Sequence, residues 1–217
     1  LQNAVFDKAD LSNTSFKNAN IDGARFVFAN LDNSNLLDRT DLSNINLAGI
    51  DLSNMNFKGR NLSDTLLTGA DLTGTILTGS DLSGANLSYV VLSEHNLTGT
   101  NLSNTILFRT DLSGIDLRSI TLDNANFRFA ILSESKLPDS LLVNNNFDYA
   151  LLDDINFAGK DLSNSSFHTA NLDGSDMQNT NLRNVSFVQV DFTKIKNKSL
   201  AGADLSDASL AHANLSG

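Results

Sequence analysis

From Leu42 to Phe192 every fifth residue is Leu, Phe or Met, over 31 consecutive positions. No other property of the chain restricts its fold so tightly. A period of five fits neither the turn of an α-helix, about 3.6 residues, nor the two-residue alternation of a flat strand. Wound as a helix, the chain would spread these side chains around the axis and bury no common face. The period therefore belongs to a solenoid whose backbone turns a corner every few residues. An earlier block keeps it at Leu1, Phe6, Leu11, Phe16, Ile21, Phe26, Leu31 and Leu36, and a later block at Leu200, Leu205, Leu210 and Leu215. The phase slips between Leu36 and Leu42 and again in the Lys-rich stretch Thr193–Ser199.

The residue two before each of these centres sharpens the reading. Over the 31 repeats it is Ala, Ser, Thr or Val 21 times and Ile five times. The exceptions are Met55 and four bulky polar residues, Arg60, His95, Asn145 and Lys160. A large and a small residue two apart share one side of a short extended segment, so both point inward. The other three positions carry mostly Asp, Asn, Ser, Thr, Gly, Lys and Arg and face water. Arg60 and Lys160 conflict with this plan, because a buried unpaired charge is too costly. They are expected to snorkel out at a corner or to mark a distorted coil. Pro138 is expected at an outward corner that need not donate to a ladder.

With 217 residues, 41% of them hydrophobic, the chain is read as one solenoid over residues 1–217, with slips at 37–40 and 193–199. It starts at Leu1 without a Met, which suggests an excised segment, a mature form or one module of a longer protein. No apolar run approaches the ~18 residues of a membrane span, so a soluble protein is expected, in the cytoplasm or secreted. The absence of Cys excludes disulfides, thiol catalysis and Cys-based metal sites.

Copies such as Ala70-Asp71-Leu72, Ala170-Asn171-Leu172, Ala203-Asp204-Leu205 and Ala213-Asn214-Leu215 resemble the A(D/N)LXX motif of the pentapeptide-repeat family. The resemblance covers nearly the whole chain. It implies an all-β fold, a right-handed quadrilateral parallel β-helix with one pentapeptide per side and four per coil. Residues 20 apart would then stack. The first face would run Leu42, Leu62, Leu82 and onward, and the second Leu47, Leu67, Leu87, Leu107, Phe127, Phe147, Phe167, Phe187. Before the first-face centres Asp and Asn alternate as Asp41, Asn61, Asp81, Asn101, which spaces out like charges stacked ~4.8 Å apart.

Chemistry is sparse. His95, His168 and His212 lie on different faces or coils, and His95 falls on an inward position, so no metal site is expected. The repeat serines have no paired His, so no catalytic residue is assigned. Glu134, Asp153, Asp154 and Asp173 form an acidic patch on the third face, read as solvated. No cofactor is implied.

One surface cluster stands apart. Tyr89, Arg109, Phe129 and Tyr149 form a column at spacing 20 on the outside of the second face, beside Phe108, Arg128, Asp148 and His168. Around the corner Val91, Ile131 and Leu151 replace the usual Asp or Asn. Since Leu87, Leu107, Phe127 and Phe147 fill the interior of these segments, the outer aromatic rings are expected to stand in water. The candidate interaction patch is Tyr89, Val91, Phe108, Arg109, Arg128, Phe129, Ile131, Tyr149 and Leu151; exposed aromatic-plus-Arg clusters mark binding surfaces.

Two functions compete. One is a non-enzymatic protein–protein interaction or scaffold module, with self-association through its aromatic face or its ends. The other comes from the resemblance: some pentapeptide-repeat proteins, of the fluoroquinolone-resistance type, mimic DNA and bind DNA gyrase or topoisomerase IV. A net charge of −10 suits mimicry and disfavours direct nucleic-acid binding, yet many positions carry Asn where a mimic would carry Asp.

Overall fold

In a computed structural model, which describes residues 1–138 and 142–216, the backbone forms a solenoid of parallel single-residue bridges. Ser140, an inward position by the period, lies outside the described residues. Between Asp41 and Asp191 the bridges join residues 20 apart, as in Asp41–Asn61–Asp81–Asn101 and Asn126–Asn146–Ser166–Ser186. Twenty residues are four pentapeptides, so every fourth repeat stacks. The one helical element among the described residues is a 3-10 turn at Lys196–Lys198.

Each corner is a β-turn. The carbonyl of a centre accepts the N–H of the inward small residue three positions on, as in Ile50 N–H to Leu47 O (3.2 Å) and Ala70 N–H to Leu67 O (3.0 Å). At most corners the residue two after the centre has φ > 0, where a type II turn requires it; Glu94, Ser119 and Lys194 are among the exceptions. Adjacent coils are tied on both sides of each bridge. Leu62 N–H donates to Asp81 O at 2.7 Å, and Asn61 N–H donates to Thr40 O at 3.0 Å. Among the described residues these bonds pair main-chain groups between coils without an extended strand.

Inside, the Leu and Phe centres are nearly all fully buried. On the second face Phe127, Phe147, Phe167 and Phe187 stack ring on ring at 5.0, 4.9 and 5.2 Å. Near the N-terminus Phe6 stacks on Phe26 at 5.2 Å and Phe16 meets both edge-on. Burial of each such side chain contributes about 1.5–3 kcal/mol before chain entropy is subtracted. Many inward hydroxyls are satisfied by main-chain carbonyls, although Ser34 Oγ and Ser135 Oγ are buried without a partner. Thr75 Oγ1 donates to Leu72 O (2.7 Å), and Thr100 Oγ1 reaches Leu77 O one coil back (2.9 Å).

The outer Asp and Asn side chains have a double role. Asp41 Oδ1 accepts the N–H of Ser43 at 3.0 Å and its hydroxyl at 2.7 Å, bracing the turn. It also accepts Asn61 Nδ2 from the coil above, at 3.0 Å. The Asn spacer thus converts a repulsive carboxylate column into a hydrogen-bonded one. Asn101 repeats the contact on Asp81 at 3.1 Å.

The irregular inward residues sit where coils are irregular. Arg25 bridges Asn46 at an offset of 21, and both Leu36 and Leu37 are buried there. Arg60 turns into this bulge and donates to the carbonyls of Leu37 and Arg39, while its guanidinium lies 5.6 Å from the Phe57 ring centre. Lys160 Nζ donates to Pro138 O at 2.8 Å. Arg60 marks a bulged coil, where displaced carbonyls need donors, and Lys160 gives its donor to a carbonyl one coil back. Pro138 departs from expectation: it is buried rather than at an outward corner. Asn145 is also satisfied inside, donating to Leu142 O (3.0 Å) and accepting Ala125 N–H (2.8 Å).

His95 is the costliest misfit. Its Nε2 sits 2.7 Å from Leu72 O and 3.1 Å from Thr75 Oγ1, but Nδ1 is buried without a partner. An acceptor carbonyl at that distance means that Nε2 carries the proton. The imidazole is too large for this inward slot. The bridge ladder of its face is broken beside it: Asn56 pairs with Ile76, and bridging resumes at Asp116–Lys136. Beyond Asp191 three residues are inserted, and bridges continue at an offset of 23, as in Ser186–Ser209. The insertion forms the 3-10 turn, with Ile195 buried beneath it and Lys196 pairing with Asp176 at 2.9 Å.

Candidate functional site

The bridges Asn86–Ile106–Asn126–Asn146–Ser166 place five successive coils of the second face in register. Just past each centre, two residues project outward. The pairs are Ser88–Tyr89, Phe108–Arg109, Arg128–Phe129, Asp148–Tyr149 and His168–Thr169. Each coil therefore supplies one ring, and the rings join across the two columns into a single ladder along the rod. Tyr89 meets Phe108 edge-on at 5.5 Å, and Phe108 meets Phe129 edge-on at 5.5 Å. Phe129 stacks on Tyr149 at 4.7 Å and 8°. The Tyr149 ring meets the His168 imidazole edge-on at 5.3 Å.

Two arginines lie along this ladder. The Arg109 guanidinium is 6.0, 5.6 and 5.4 Å from the ring centres of Tyr89, Phe108 and Phe129. Arg128 lies 5.3 Å from Phe129 and 5.4 Å from Tyr149. These are cation–π distances. Asp148 faces the other way: it accepts the Ser166 hydroxyl and, at 2.9 Å, the His168 N–H.

Tyr89, Val91, Arg109, Arg128 and Leu151 are exposed, with Tyr89 at 56% and Val91 at 61%. Phe108, Phe129, Ile131 and Tyr149 are half-buried rather than fully in water. The reason is the ladder itself, since each ring covers its neighbour and the arginine stems cover two more. Val91, Ile131 and Leu151 share one column with Asp111, through the bridges Val91–Asp111–Ile131–Leu151. The aliphatic rim is therefore interrupted by one carboxylate.

The backbone under the ladder carries a feature that the side-chain types do not announce. Tyr89, Arg109, Phe129 and Tyr149 occupy the turn position at φ 64°, 55°, 59° and 60°. On the first face the same position holds mostly Asn, as at Asn44, Asn104, Asn124, Asn144, Asn164 and Asn184; on the fourth it holds mostly Gly. Those residues tolerate the left-handed region, whereas a bulky side chain there costs about 1–2 kcal/mol. His168 belongs to the ladder and was left out of the patch; its spacing of 20 from Asp148 and 60 from Phe108 was the available signal. Phe28 is a separate outlier at 62% exposure, its ring lying over Gly49 where a Cβ would meet Cε1 at 2.0 Å.

The other candidate chemistry does not assemble. Asp153 accepts the Ser133 hydroxyl at 2.6 Å, and Asp173 pairs with Lys194 at 3.0 Å. Among the described residues no cluster of three potential metal ligands occurs, and no helix is long and apolar enough to cross a membrane.

A family model for pentapeptide repeats matches eight times, over residues 1–36, 37–74, 65–104, 85–123, 105–144, 122–159, 150–189 and 194–217. A comparison with curated proteins found no match. Among solved structures the chain is similar to QnrB1, a plasmid-mediated fluoroquinolone resistance protein, at 14% identity over 75% of this chain and 87% of that one, with a TM-score of 0.46. It is also similar to HetL, involved in heterocyst differentiation regulation in the cyanobacterium Nostoc sp. strain PCC 7120, at 27% identity over 99% and 88% of the two chains, with a TM-score of 0.30. A pentapeptide repeat protein from the cyanobacterium Cyanothece 51142 matches at 18% identity over 83% and 90%, with a TM-score of 0.24. The eight repeat matches run nearly end to end on a backbone that stacks every fourth pentapeptide, and the chain belongs to the pentapeptide-repeat family.

Proposed function

We propose that this chain is a non-enzymatic protein–protein interaction module, built on a right-handed coil of square cross-section, and that the ladder from Tyr89 to His168 with Arg109 and Arg128 is its contact surface. One observation carries the reading. Four successive turn positions that favour Asn or Gly hold Tyr, Arg, Phe and Tyr instead, all at φ > 0. The rod's own turns gain nothing from this, since Asn serves the same position on the neighbouring face. Backbone strain retained for an outward aromatic side chain is the mark of a surface shaped for contact. The rings are also pre-ordered by stacking on one another, which lowers the entropy lost when a partner binds.

The DNA-mimic reading draws on the acidic columns. There Asn amides stand between successive carboxylates and are hydrogen-bonded to them, which halves the charge density of the column. The interaction reading is therefore preferred.

The test is affinity capture from a native extract using wild type, Phe129→Asn/Tyr149→Asn, and a first-face control, Asn104→Ser. The expected result is a protein retained by wild type and control and lost from the ladder variant. Identical capture by all three overturns the assignment.

A further inference from the structure

The interaction reading leaves the partner's chemistry open, and the charge distribution addresses it. Around the rod the first and third faces are acidic, with Asp41, Asp64, Asp81 and Asp161 on one and Asp51, Asp71, Asp153 and Asp154 on the other. On the second face, from Ile45 to Gln189, the charged residues are Arg109, Arg128 and Asp148. Asp148 is engaged by Ser166 and His168. Among the described residues neither guanidinium forms an ion pair or donates a hydrogen bond; their contacts are with aromatic rings. A chain with net charge −10 thus keeps two guanidiniums without an ion-pair partner on this aromatic face, against the single carboxylate of Asp148.

From this complementarity we infer that the ladder docks an acidic protein segment, whose carboxylates meet Arg109 and Arg128 while its apolar or aromatic side chains lie against Phe108, Phe129 and Tyr149. The inference rests on the interaction reading and adds the chemical class of the partner. A guanidinium held beside rings keeps its in-plane N–H donors for a carboxylate, which it grips at two points. The rings exclude water around that contact and strengthen it. Long-range repulsion does not prevent docking. At about 0.1 M salt the Debye length is about 10 Å, so a segment on the ladder feels the two arginines more than carboxylates across the rod. Arg109 and Arg128 also come from successive coils, so they follow a chain laid along the axis. An extended segment is accordingly favoured over a single carboxylate ligand.

The experiment uses a random copolymer of Glu and Tyr as probe, read by fluorescence anisotropy against the whole chain, with oligothymidylate as a second probe. Wild type is expected to bind the acidic copolymer, and Arg109→Gln/Arg128→Gln to bind it about tenfold or more weakly, while remaining fully folded at the assay temperature by circular dichroism. Arg109→Lys/Arg128→Lys retains the charge but not the two-point grip and is expected to fall between them. Equal copolymer binding by wild type and the Gln pair overturns the proposal. So does Arg-dependent binding of oligothymidylate in place of the copolymer, or ladder-dependent self-association that the copolymer does not displace. If the copolymer result is negative while Phe129→Asn/Tyr149→Asn still loses its captured protein, the partner class falls and the interaction reading stands. Failure of both experiments removes both.

Discussion

Phe147 and Tyr149 lie two residues apart in one turn, one ring inside the rod and one outside, and they should respond to deletion in opposite ways. Phe147 is 0% exposed and stacks between Phe127 and Phe167 at 5.0 and 4.9 Å. Phe147→Ala removes a ring that its neighbours cannot replace, because each is held by its own coil. Loss of a fully buried Phe costs about 3–5 kcal/mol, and two broken ring contacts place this site toward the upper end. Tyr149→Asn loses a stacked contact with Phe129, an edge-on contact with His168 and a cation–π contact with Arg128, all partly exposed and about 1–2 kcal/mol together. It also relieves a left-handed Tyr at φ 60°, which returns about 1 kcal/mol. The net change should stay within about 1 kcal/mol of zero. Urea unfolding followed by circular dichroism measures both, with amide exchange at Phe147 reporting the local coil, since repeat arrays need not unfold as one unit. Comparable losses from the two substitutions would refute the division of this turn into a core side and a contact side.

Asn61→Asp should destabilise the rod by about 1–2 kcal/mol at low salt, because it sets three carboxylates in one column; the loss should shrink near 1 M salt. A salt-independent loss in parallel urea titrations would count against the electrostatic account. His95→Thr should stabilise by about 1 kcal/mol, since it removes a buried unpartnered Nδ1 and restores the size favoured at that slot; a lower midpoint would show that the imidazole supports its coil. Hydrogen bonds from the Ser43 N–H and hydroxyl hold Asp41 below the ordinary carboxylate range, and the Ser206 hydroxyl and N–H do the same for Asp204. Groups with depressed folded pKa values contribute stability above about pH 4 that is lost as the pH falls through the folded values, so acid should lower the midpoint below about pH 4 while pH 6 to 8 has little effect.

The spacing of Leu42, Leu62 and Leu82 made the stack legible because a five-residue period has one geometric use. The outward columns follow from the same arithmetic, which groups Tyr89, Phe108, Arg109 and Phe129. Ring contact was not legible. Whether Phe129 stands in water or on Tyr149 depends on χ angles that spacing does not encode. The left-handed backbone beneath the aromatics was missed for a related reason: Asn and Gly announce φ > 0, but Tyr, Phe and Arg adopt it only because the coil imposes it. Arg60 and Lys160 are legible as misfits, yet their partners, the carbonyls of Leu37, Arg39 and Pro138, lie 21 to 23 residues back in the chain. Pro138 is expected outward because the repeat places it there, yet it is buried and its carbonyl accepts Lys160 Nζ.

The alternation of small hydroxyl residues and large centres has a mechanical consequence. Every coil is fastened to the next by main-chain bonds near each corner and by threonines such as Thr100 and Thr180, whose hydroxyls reach a carbonyl one coil earlier. A coil touches its two neighbours and nothing further away. Melting that begins at either terminus must therefore advance coil by coil. The segment carrying Tyr89 to His168 has four stacked coils before it and two after it among the described residues, which act as sacrificial layers. Thermal fraying or proteolytic trimming of the outermost coils can proceed without disturbing the arrangement of rings and guanidiniums at mid-length.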